Sequence, residues 1–140
     1  MKRSVSLPRK SSLLRKGRLR PVAKSKHWKK ALDDLARKVV FARDGNQCVR
    51  CGKKEGIQWC HVDSRRYLST RWLLENSMAL CAGHHLAWHH RPLEAAEWFR
   101  TTYPERWNRL TVRAASAQKF DRKLERLYLE AEPRKLGVEP

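Results

Sequence analysis

The first strong pattern in the chain is a run of apolar residues at helical spacing between residues 25 and 43. The run is bounded by Ser25, a suitable N-cap residue, and by the turn-forming residues Asp44, Gly45 and Asn46. Its apolar positions are Trp28, Leu32, Leu35, Val39 and Ala42. Because these positions fall on one face of a helix, we expect a supporting helix that packs against the segment that follows.

Beyond this helix the pattern changes to short apolar segments. Residues 56–62 (GIQWCHV) partly alternate and predict a strand, and Met78 to Leu80 predict a second one. Residues 65–74 between them are expected to form a loop. Residues 83–90 (GHHLAWHH) predict one compact helix, which ends near Arg91 because Pro92 disfavours a helical conformation at the residue before it. The predicted local order is strand, loop, strand, helix.

Three further helices are predicted downstream. Residues 93–100 form the first, and residues 102–113 form the second, which begins with a capping box from Thr102 to Glu105 and tolerates Pro104 in its first turn. The third is expected to end at Pro133. Its apolar face consists of Ala117, Phe120, Leu124, Leu127 and Ala131.

These elements predict an α+β protein with a simple organisation. Residues 1–24 are expected to form a disordered basic arm, because Pro8, Gly17 and Pro21 interrupt any helical pattern there. Residues 25–92 form a compact unit, residues 93–132 a helical extension, and residues 133–140 a tail. A chain of 140 residues is the size of one small domain with tails.

The charge distribution indicates the kind of partner. Lys and Arg number 32 against 14 Asp and Glu, which gives a net charge of +18. Residues 1–30 contain 12 of the basic residues and no acidic residue. A basic segment of this composition stays unfolded by itself and binds phosphates, so a nucleic acid is the expected partner.

No membrane partner is expected. No apolar run approaches the roughly 20 residues that a transmembrane helix requires, and the N-terminus lacks the apolar segment of a signal peptide. We therefore expect a cytoplasmic protein. In a reducing compartment, cysteines interleaved with histidines favour metal binding over disulfides.

Two short motifs predict a structural metal site. Cys48 and Cys51 form a CxxC pair, and Cys81 and His84 form a CxxH pair 30 residues later. Two such knuckles facing each other supply the four ligands of tetrahedral zinc, which would stabilise so small a domain. Cys60 is a surplus thiol that could replace His84 as the fourth ligand.

A second metal site is predicted on the helix at 83–90. His85 and His89 are four residues apart, so both side chains lie on one face and can bind one metal ion. His84 and His90 do not share that face, which separates this site from the zinc knuckles. By itself such a pair is more often a packing or surface feature, but His61 and Asn76 upstream and the adjoining knuckle strengthen the interpretation.

Together these residues resemble the HNH, or ββα-metal, nucleases. The motif residues are the two knuckles with His61, Asn76, His85 and His89. The segment CHVDSRRYLSTRWLLENSMALCAGHH more narrowly resembles the phage NinG/Rap recombination nucleases. The specific motifs cover about residues 48–90. The resemblance implies a zinc-stapled ββα-metal core, located in the host cytoplasm if a phage encodes the protein.

The resemblance also implies roles for individual residues. His61 matches the general base, Asn76 the residue that holds the base loop in shape, and His85 with His89 the ligands of a catalytic divalent metal. The implied activity is hydrolysis of a DNA phosphodiester. A neutral imidazole near its ordinary pKa can accept a proton from water at neutral pH. Two imidazole ligands accept Mn²⁺, Ni²⁺, Co²⁺ or Zn²⁺, whereas Mg²⁺ needs further oxygen ligands.

The sequence departs from the family pattern at two positions. Cys60 stands before the base, where an Asp or His often serves as another metal ligand. Strand alternation sends Cys60 and His61 to opposite faces, so Cys60 completes the catalytic metal site only if the strand is irregular, and Asp63 is the alternative carboxylate. The other departure is His84 in place of the usual fourth knuckle cysteine, a change that zinc accepts.

Three arginines are predicted to contact DNA phosphates. Arg65, Arg66 and Arg71 lie in the loop between the base and the helix, where a guanidinium can bind phosphate with two hydrogen bonds. Trp59, Trp72 and Trp88 are expected in the core rather than as stacking platforms.

Alternatives remain open at the level of the sequence. A non-catalytic zinc module that binds DNA or RNA would retain His61 and the His85–His89 pair for packing. The DNA partner could be double-stranded or branched. The sequence also allows a homodimer or a phage protein partner.

Overall fold

A computed structural model describes residues 22–116 and 118–135. Within these ranges the protein is α+β, with five α-helices and one two-stranded sheet. The elements are α1 (Val22–Arg43), β1 (Ile57–His61), a 3₁₀ turn (Leu74–Asn76), β2 (Ser77–Cys81), α2 (Ala82–His90), α3 (Pro92–Thr102), α4 (Pro104–Ala115) and α5 (Arg122–Lys135). The predicted order of strand, loop, strand and helix is observed.

Helix α1 ends where the sequence predicts. Gly45 and Asn46 have positive φ angles of 69° and 52°, and the N–H of Asn46 bonds the carbonyl of Phe41. Such left-handed residues close a helix by satisfying its last carbonyl groups. The chain then turns back into the knuckle at Cys48, where Gly52, also at positive φ, donates its N–H to the Cys48 carbonyl.

The two strands form a short antiparallel hairpin. Cys60 pairs with Met78 and His61 pairs with Ser77. Every residue of β2 is buried, because α1 and α2 both pack against this strand. The irregular segment 62–73 connects the strands, so it starts directly after His61.

The apolar core has two parts. The knuckle-side cluster joins the sheet to α2 and α3, and its buried members are Cys48, Cys60, Met78, Leu80, Cys81, Trp88, Ala95 and Phe99. The α1-side cluster joins α1 to α5 and to the loop before β2, and its buried members are Leu32, Ala36, Val39, Val40, Trp72, Leu74 and Leu129. The sheet therefore lies between the knuckles and α1.

Several predicted boundaries were wrong. Helix α1 begins at Val22, so Ser25 is inside the helix and the last residues assigned to the basic arm are helical. Helix α5 continues through Pro133 to Lys135, with the buried Pro133 in its last turn, so only two further helical residues follow the missing N–H donor. Residues 1–21 of the predicted arm, Ala117 and residues 136–140 of the tail lie outside the described residues.

The predicted capping box was also wrong. Thr102 is the last residue of α3, and Tyr103 is the N-cap of α4 without a side-chain capping hydrogen bond. Pro104 occupies the first position of α4, where its fixed φ and missing N–H suit the start of a helix. The proline therefore sets this helix start.

None of the helices in the described ranges combines the length and the apolar character that a membrane crossing demands.

Candidate functional site

The two knuckles meet at one point between the sheet and α2. Cys48, Cys51, Cys81 and His84 bring their ligand atoms within 4.8 Å of one another. Cys48 and Cys51 come from the turn after α1, Cys81 ends β2, and His84 lies in the first turn of α2. This group could hold a metal ion, which confirms the prediction that these four side chains converge.

The distances within this Cys₃His cluster fit tetrahedral zinc. The Nδ1 atom of His84 lies 3.4 Å from both the Cys48 and the Cys81 sulfur atoms, and the sulfurs of Cys51 and Cys81 are 3.9 Å apart. Zinc bonds of about 2.3 Å to sulfur and 2.0–2.1 Å to nitrogen place tetrahedral ligands about 3.6–3.8 Å apart. These three distances differ from the ideal spacing by only a few tenths of an ångström.

The surroundings of Cys48 favour the thiolate form of its side chain. Burial raises its pKa, but hydrogen bonds from the backbone N–H groups of Cys81, Arg50 and Cys51 outweigh burial and lower the pKa to about 6. The thiolate is the form that binds metal. Backbone hydrogen bonds therefore favour the binding form of this ligand near neutral pH.

Cys60 belongs to neither predicted metal site. Its sulfur is fully buried in the knuckle-side cluster, and burial raises its pKa to about 12. The strand is regular at this residue, so Cys60 and His61 face opposite sides of the sheet. Cys60 is thus a core residue, and the condition under which it could complete the catalytic site is not met.

A cleft of about 790 Å³ lies between β1, the following loop and α2. It gathers most of the residues predicted from the sequence for catalysis. Its lining residues are Trp59, His61, Val62, Ser64, Arg65, Arg66, Arg71, His85, Trp88, His89 and Pro92. The loop and the helix thus bring imidazole and guanidinium groups to one concave surface.

His61 is held in one orientation in this cleft. Its Nε2–H donates a hydrogen bond to the Arg71 carbonyl at 3.1 Å, and its ring packs on the Trp59 indole with centroids 4.2 Å apart. Because a carbonyl oxygen only accepts, Nε2 carries the proton and Nδ1 carries the free lone pair. A base at this position would act through Nδ1.

His61 is neutral well below physiological pH. Burial lowers its pKa to about 4; the Arg65 and Arg71 cations also lower it, and the hydrogen bond to Arg71 only partly opposes them. The expectation of a nearly unperturbed pKa was therefore wrong, because the sequence does not show how deeply the ring is packed. The ring is available as a proton acceptor throughout the neutral range.

Asn76 holds the loop that follows His61. Its Oδ1 accepts a hydrogen bond from the Asp63 N–H at 2.6 Å, and its Nδ2 donates to the carbonyls of Thr70 and Asp63 at 2.9 and 3.2 Å. The side chain is fully buried. Asn76 therefore clamps both ends of the loop, as the sequence-based role requires.

Asp63 is not available as a metal ligand. One carboxylate oxygen accepts from the Ser64 N–H at 2.8 Å, and the other accepts from the Thr70 hydroxyl at 3.1 Å. Neither oxygen lines the cleft. The structure therefore does not place Asp63 where it could replace the missing acidic ligand.

His85 and His89 lie within hydrogen-bond distance of each other, with their Nε2 atoms 3.2 Å apart. The Nδ1–H of His85 donates to the Oε1 atom of Gln58 at 2.7 Å, which leaves the lone pair of His85 on Nε2. Two nitrogens bound to one cation at about 2.1 Å, with an angle between 90° and 109°, lie about 3.0–3.4 Å apart. The pair is therefore spaced as two neighbouring ligands of one metal ion.

The three arginines of the loop differ in whether their guanidinium groups are already bound by other residues. Arg65 and Arg66 are exposed and line the cleft. Arg71 binds both carboxylate oxygens of Asp33, at 2.9 and 2.7 Å, and donates to the Arg65 carbonyl at 3.0 Å. Arg71 is therefore committed to holding the loop against α1, and the prediction that it contacts phosphate is not supported by its hydrogen bonds.

Two residues that support the cleft, Asp33 and Gln58, were not identified from the sequence. Asp33 on α1 binds Arg71 and also accepts from the Trp72 indole at 2.8 Å, which fixes the segment whose carbonyl orients His61. Gln58 orients His85. Asp33 is one acidic residue among several on a helix, and Gln58 is an exposed strand residue, so neither carries a motif signal.

The three tryptophans were predicted as core. Trp72 and Trp88 are buried, whereas Trp59 is only half-buried and lines the cleft. The Nε1 atom of Trp59 is buried without a hydrogen-bond partner among the described residues. Trp59 therefore differs from the other two in having an unsatisfied polar group.

The low pKa of His61 predicts a dependence of stability on pH. The unfolded chain gains a proton below about pH 6.5, whereas the folded protein does not until about pH 4. The contribution of neutral His61 to the free energy of unfolding is complete above about pH 6.5. It decreases as the pH falls from about 6.5 toward about 4, by about 1 kcal/mol at pH 5.5.

The test compares urea unfolding of the wild type and His61→Asn at pH 7.5 and 5.5. The wild type should lose about 1 kcal/mol more than the variant between the two conditions. Protonation of the zinc ligands affects both proteins equally and cancels in the comparison. Equal losses would contradict the buried, neutral state of His61.

Comparison with protein family models, with curated proteins and with solved structures finds no match to this chain, so any functional argument depends on its own residues and geometry.

Proposed function

We propose that this protein is a metal-dependent endonuclease of the HNH type that hydrolyses phosphodiester bonds in DNA. The observation that carries the proposal is the single cleft that gathers His61, His85, His89, Arg65 and Arg66. A proton acceptor, a pair of metal ligands and two free guanidinium groups are what phosphodiester hydrolysis requires.

His61 is the general base in this proposal. Its neutral ring presents Nδ1 as acceptor, because Nε2–H is bound to the Arg71 carbonyl. The ring has a pKa of about 4 in the free protein, partly because of Arg65 and Arg71. A bound phosphate offsets these positive charges, which raises the pKa of His61 and strengthens it as a base.

His85 and His89 hold the catalytic metal in this proposal, as their 3.2 Å nitrogen spacing allows. A divalent cation there stabilises the negative charge that develops on the phosphate and the leaving oxygen. Gln58 accepts the Nδ1–H of His85, which leaves the Nε2 lone pair of His85 available for the metal ion. With two imidazoles and no protein carboxylate in the cleft, Mn²⁺, Ni²⁺, Co²⁺ or Zn²⁺ fit better than Mg²⁺.

Arg65 and Arg66 bind the substrate backbone. Both are exposed at the cleft, and neither takes part in an ion pair with a carboxylate among the described residues. The net charge of +18 supplies a long-range attraction for DNA that carries no sequence information. DNA, double-stranded or branched, is therefore the proposed partner.

The sequence resemblance supports the same function. Strand, loop, strand and helix follow in the order that the HNH core requires, with the zinc knuckles adjoining the helix. The resemblance to the NinG/Rap nucleases is the reason for proposing a role in phage DNA recombination or processing. This biological context rests on the sequence alone.

The first test is metal-dependent nicking of supercoiled plasmid by the purified, zinc-containing chain. Reactions without added metal and with Mg²⁺, Mn²⁺ or Ni²⁺ are compared for the wild type and for His85→Ala. We expect metal-dependent nicking that falls at least about 100-fold in His85→Ala, because the cation loses one of its two protein ligands.

His90→Ala is the matched control. His90 lies on the same helix and is exposed, but it does not line the cleft. Nicking should persist at the wild-type rate in this variant. Equal losses in the two variants would indicate damage to α2 rather than to a metal site.

The second candidate function is a zinc-containing module that binds DNA or RNA without cutting it. The Cys₃His cluster favours it, because that cluster lies outside the cleft and stabilises a basic protein without any catalysis. Intact plasmid with every metal, from protein that retains zinc and shifts DNA in a gel, would support this alternative.

A further inference from the structure

A second, smaller pocket adjoins the catalytic cleft. Its volume is about 390 Å³, and it is lined by Arg37, Phe41, Ile57, Gln58, Trp59 and Arg65. Trp59 and Arg65 line both the pocket and the cleft, so the two are neighbours separated by these side chains. The pocket lies between α1 and the start of β1, and we call it the flanking pocket.

The walls of the flanking pocket suit a flat, partly polar ring. Phe41, Ile57 and Trp59 are half-buried apolar residues, and Arg37 and Arg65 are exposed cations. Arg37 pairs with Asp34 at 2.9 Å, but both side chains are more than a third exposed, so the pair is weak and Arg37 can exchange partners. The volume is within the range of about 300–1,000 Å³ that small-ligand sites have.

The aromatic walls of the flanking pocket indicate what kind of ligand it takes. Phe41 and Trp59 both line the pocket and are only half-buried, so part of each side chain is exposed. Every nucleobase has a π-face that can stack on an aromatic side chain. A base is therefore the kind of flat ring that these walls suit.

We propose that the flanking pocket binds the base of a nucleotide next to the scissile phosphate, so that the favoured substrate presents an unpaired nucleotide there. This inference rests on the proposed nuclease function. A base inside a regular duplex is stacked between its neighbours and cannot enter a pocket, whereas an unpaired base can. Arg65, at the junction, binds the phosphate between the two sites.

Gln58 connects the flanking pocket to the metal ligands. It lines the pocket, and its Oε1 atom accepts the Nδ1–H of His85 at 2.7 Å. A base in the pocket therefore contacts the residue that orients His85. Occupancy of the pocket and the geometry of the catalytic metal site are coupled through this one side chain.

The test uses three duplexes of the same sequence: one fully paired, one with a single unpaired nucleotide, and one with an abasic site at that position. Cuts are mapped at nucleotide resolution under single-turnover conditions. We expect the unpaired duplex to be cut about 10-fold faster than the other two, next to the unpaired base, because stacking on an aromatic side chain is lost without it.

The variants are Arg37→Ala, Phe41→Leu and Phe41→Tyr, with Lys38→Ala as the matched control. Lys38 is exposed on α1 but does not line the flanking pocket. Its substitution by alanine removes one positive charge, as Arg37→Ala does. Arg37→Ala and Phe41→Leu should reduce the preference for the unpaired duplex, whereas Phe41→Tyr and Lys38→Ala should retain it. Phe41→Leu keeps apolar volume in the α1-side cluster, so the fold is preserved.

Equal cutting of the three duplexes, or the same loss of preference in Lys38→Ala as in Arg37→Ala, would overturn the proposal while leaving the nuclease function intact. If no DNA is cut, the proposed nuclease function is wrong. Fluorescence anisotropy measurements of binding to the same duplexes then test whether the flanking pocket binds an unpaired base. Tighter binding of the unpaired duplex than of the abasic one, lost in Phe41→Leu, supports the pocket. Equal binding overturns it.

Discussion

Cys81→Ser is expected to abolish zinc binding and the cooperative unfolding transition of this protein. Cys81 ends β2 and begins α2, and its sulfur lies 3.4 Å from His84 Nδ1 and 3.9 Å from the Cys51 sulfur. Loss of this ligand disconnects the knuckle at Cys48 from the helix. Structural zinc contributes about 10–16 kcal/mol in zinc-finger peptides, which is as large as the whole stability of an ordinary domain, about 5–15 kcal/mol.

The measurement is the zinc content of the purified chain together with thermal unfolding followed by circular dichroism. Wild type should contain one zinc per chain and unfold in one transition, and a chelator should produce the same loss as Cys81→Ser. Unfolding of the knuckle-side cluster follows because Cys48 and Cys81 are themselves among its buried residues.

Cys60→Ala is the matched control for a ligand cysteine. Cys60 is as deeply buried as Cys48 but lies outside the Cys₃His cluster. This variant should retain one zinc per chain and lose only about 1 kcal/mol, the cost of a small cavity. Loss of zinc in Cys60→Ala, or zinc retained in Cys81→Ser, would contradict the assignment of the ligands.

His61→Ala is expected to lower the DNA cleavage rate by about 100- to 10,000-fold at saturating DNA and metal, the usual contribution of a general base. The lone pair of His61 lies on Nδ1, since its Nε2–H is bound to the Arg71 carbonyl. The proposed metal ligands are on α2 and the proposed phosphate-binding arginines are exposed, so neither group depends on the His61 side chain.

The measurement is single-turnover cleavage of plasmid, accompanied by titrations of DNA and Mn²⁺. DNA affinity and metal affinity should remain within about two-fold of wild type, and added imidazole should restore part of the rate by entering the vacated site. A variant that cuts at the wild-type rate would exclude His61 as the base. A variant that no longer binds DNA would indicate a structural role instead.

Local patterns in the sequence predicted the elements that carry the site. Helix α2 ends at His90 as expected, because Pro92 acts on its immediate neighbours. The knuckle ligands converge as their spacing predicted, since each pair is fixed within one turn of chain. Both strands were also predicted, β1 from a partly alternating segment and β2 from a short apolar segment, which is typical of a strand that is buried on both faces.

Long-range contacts could not be predicted in the same way. Asp33 and Arg71 are separated by 38 residues, and nothing periodic in the sequence marks them as partners. The same holds for Gln58 and His85, which are 27 residues apart. Arg71 therefore resembled a free phosphate ligand in the sequence, although its guanidinium is occupied by a carboxylate of α1.

How deeply a given side chain is buried could not be predicted from the sequence either. The low pKa of His61 arises mainly from burial, which depends on how the loop folds over β1. The continuation of α5 through Pro133 depends on a buried ring in its last turn. Both features are set by tertiary contacts that override the local preference of the residue.

The contact between Asp33 and Arg71 also determines how far this protein could be shortened. Every residue that the sequence motif names lies within residues 48–90, and a peptide of that range would contain the proposed base, Asn76 and both proposed sets of metal ligands. It would lack the carboxylate that fixes Arg71, whose carbonyl selects the protonated nitrogen of His61. If the protein is the nuclease proposed above, its smallest active fragment must therefore extend back into α1, at least past Asp33, well outside the range of the sequence motif.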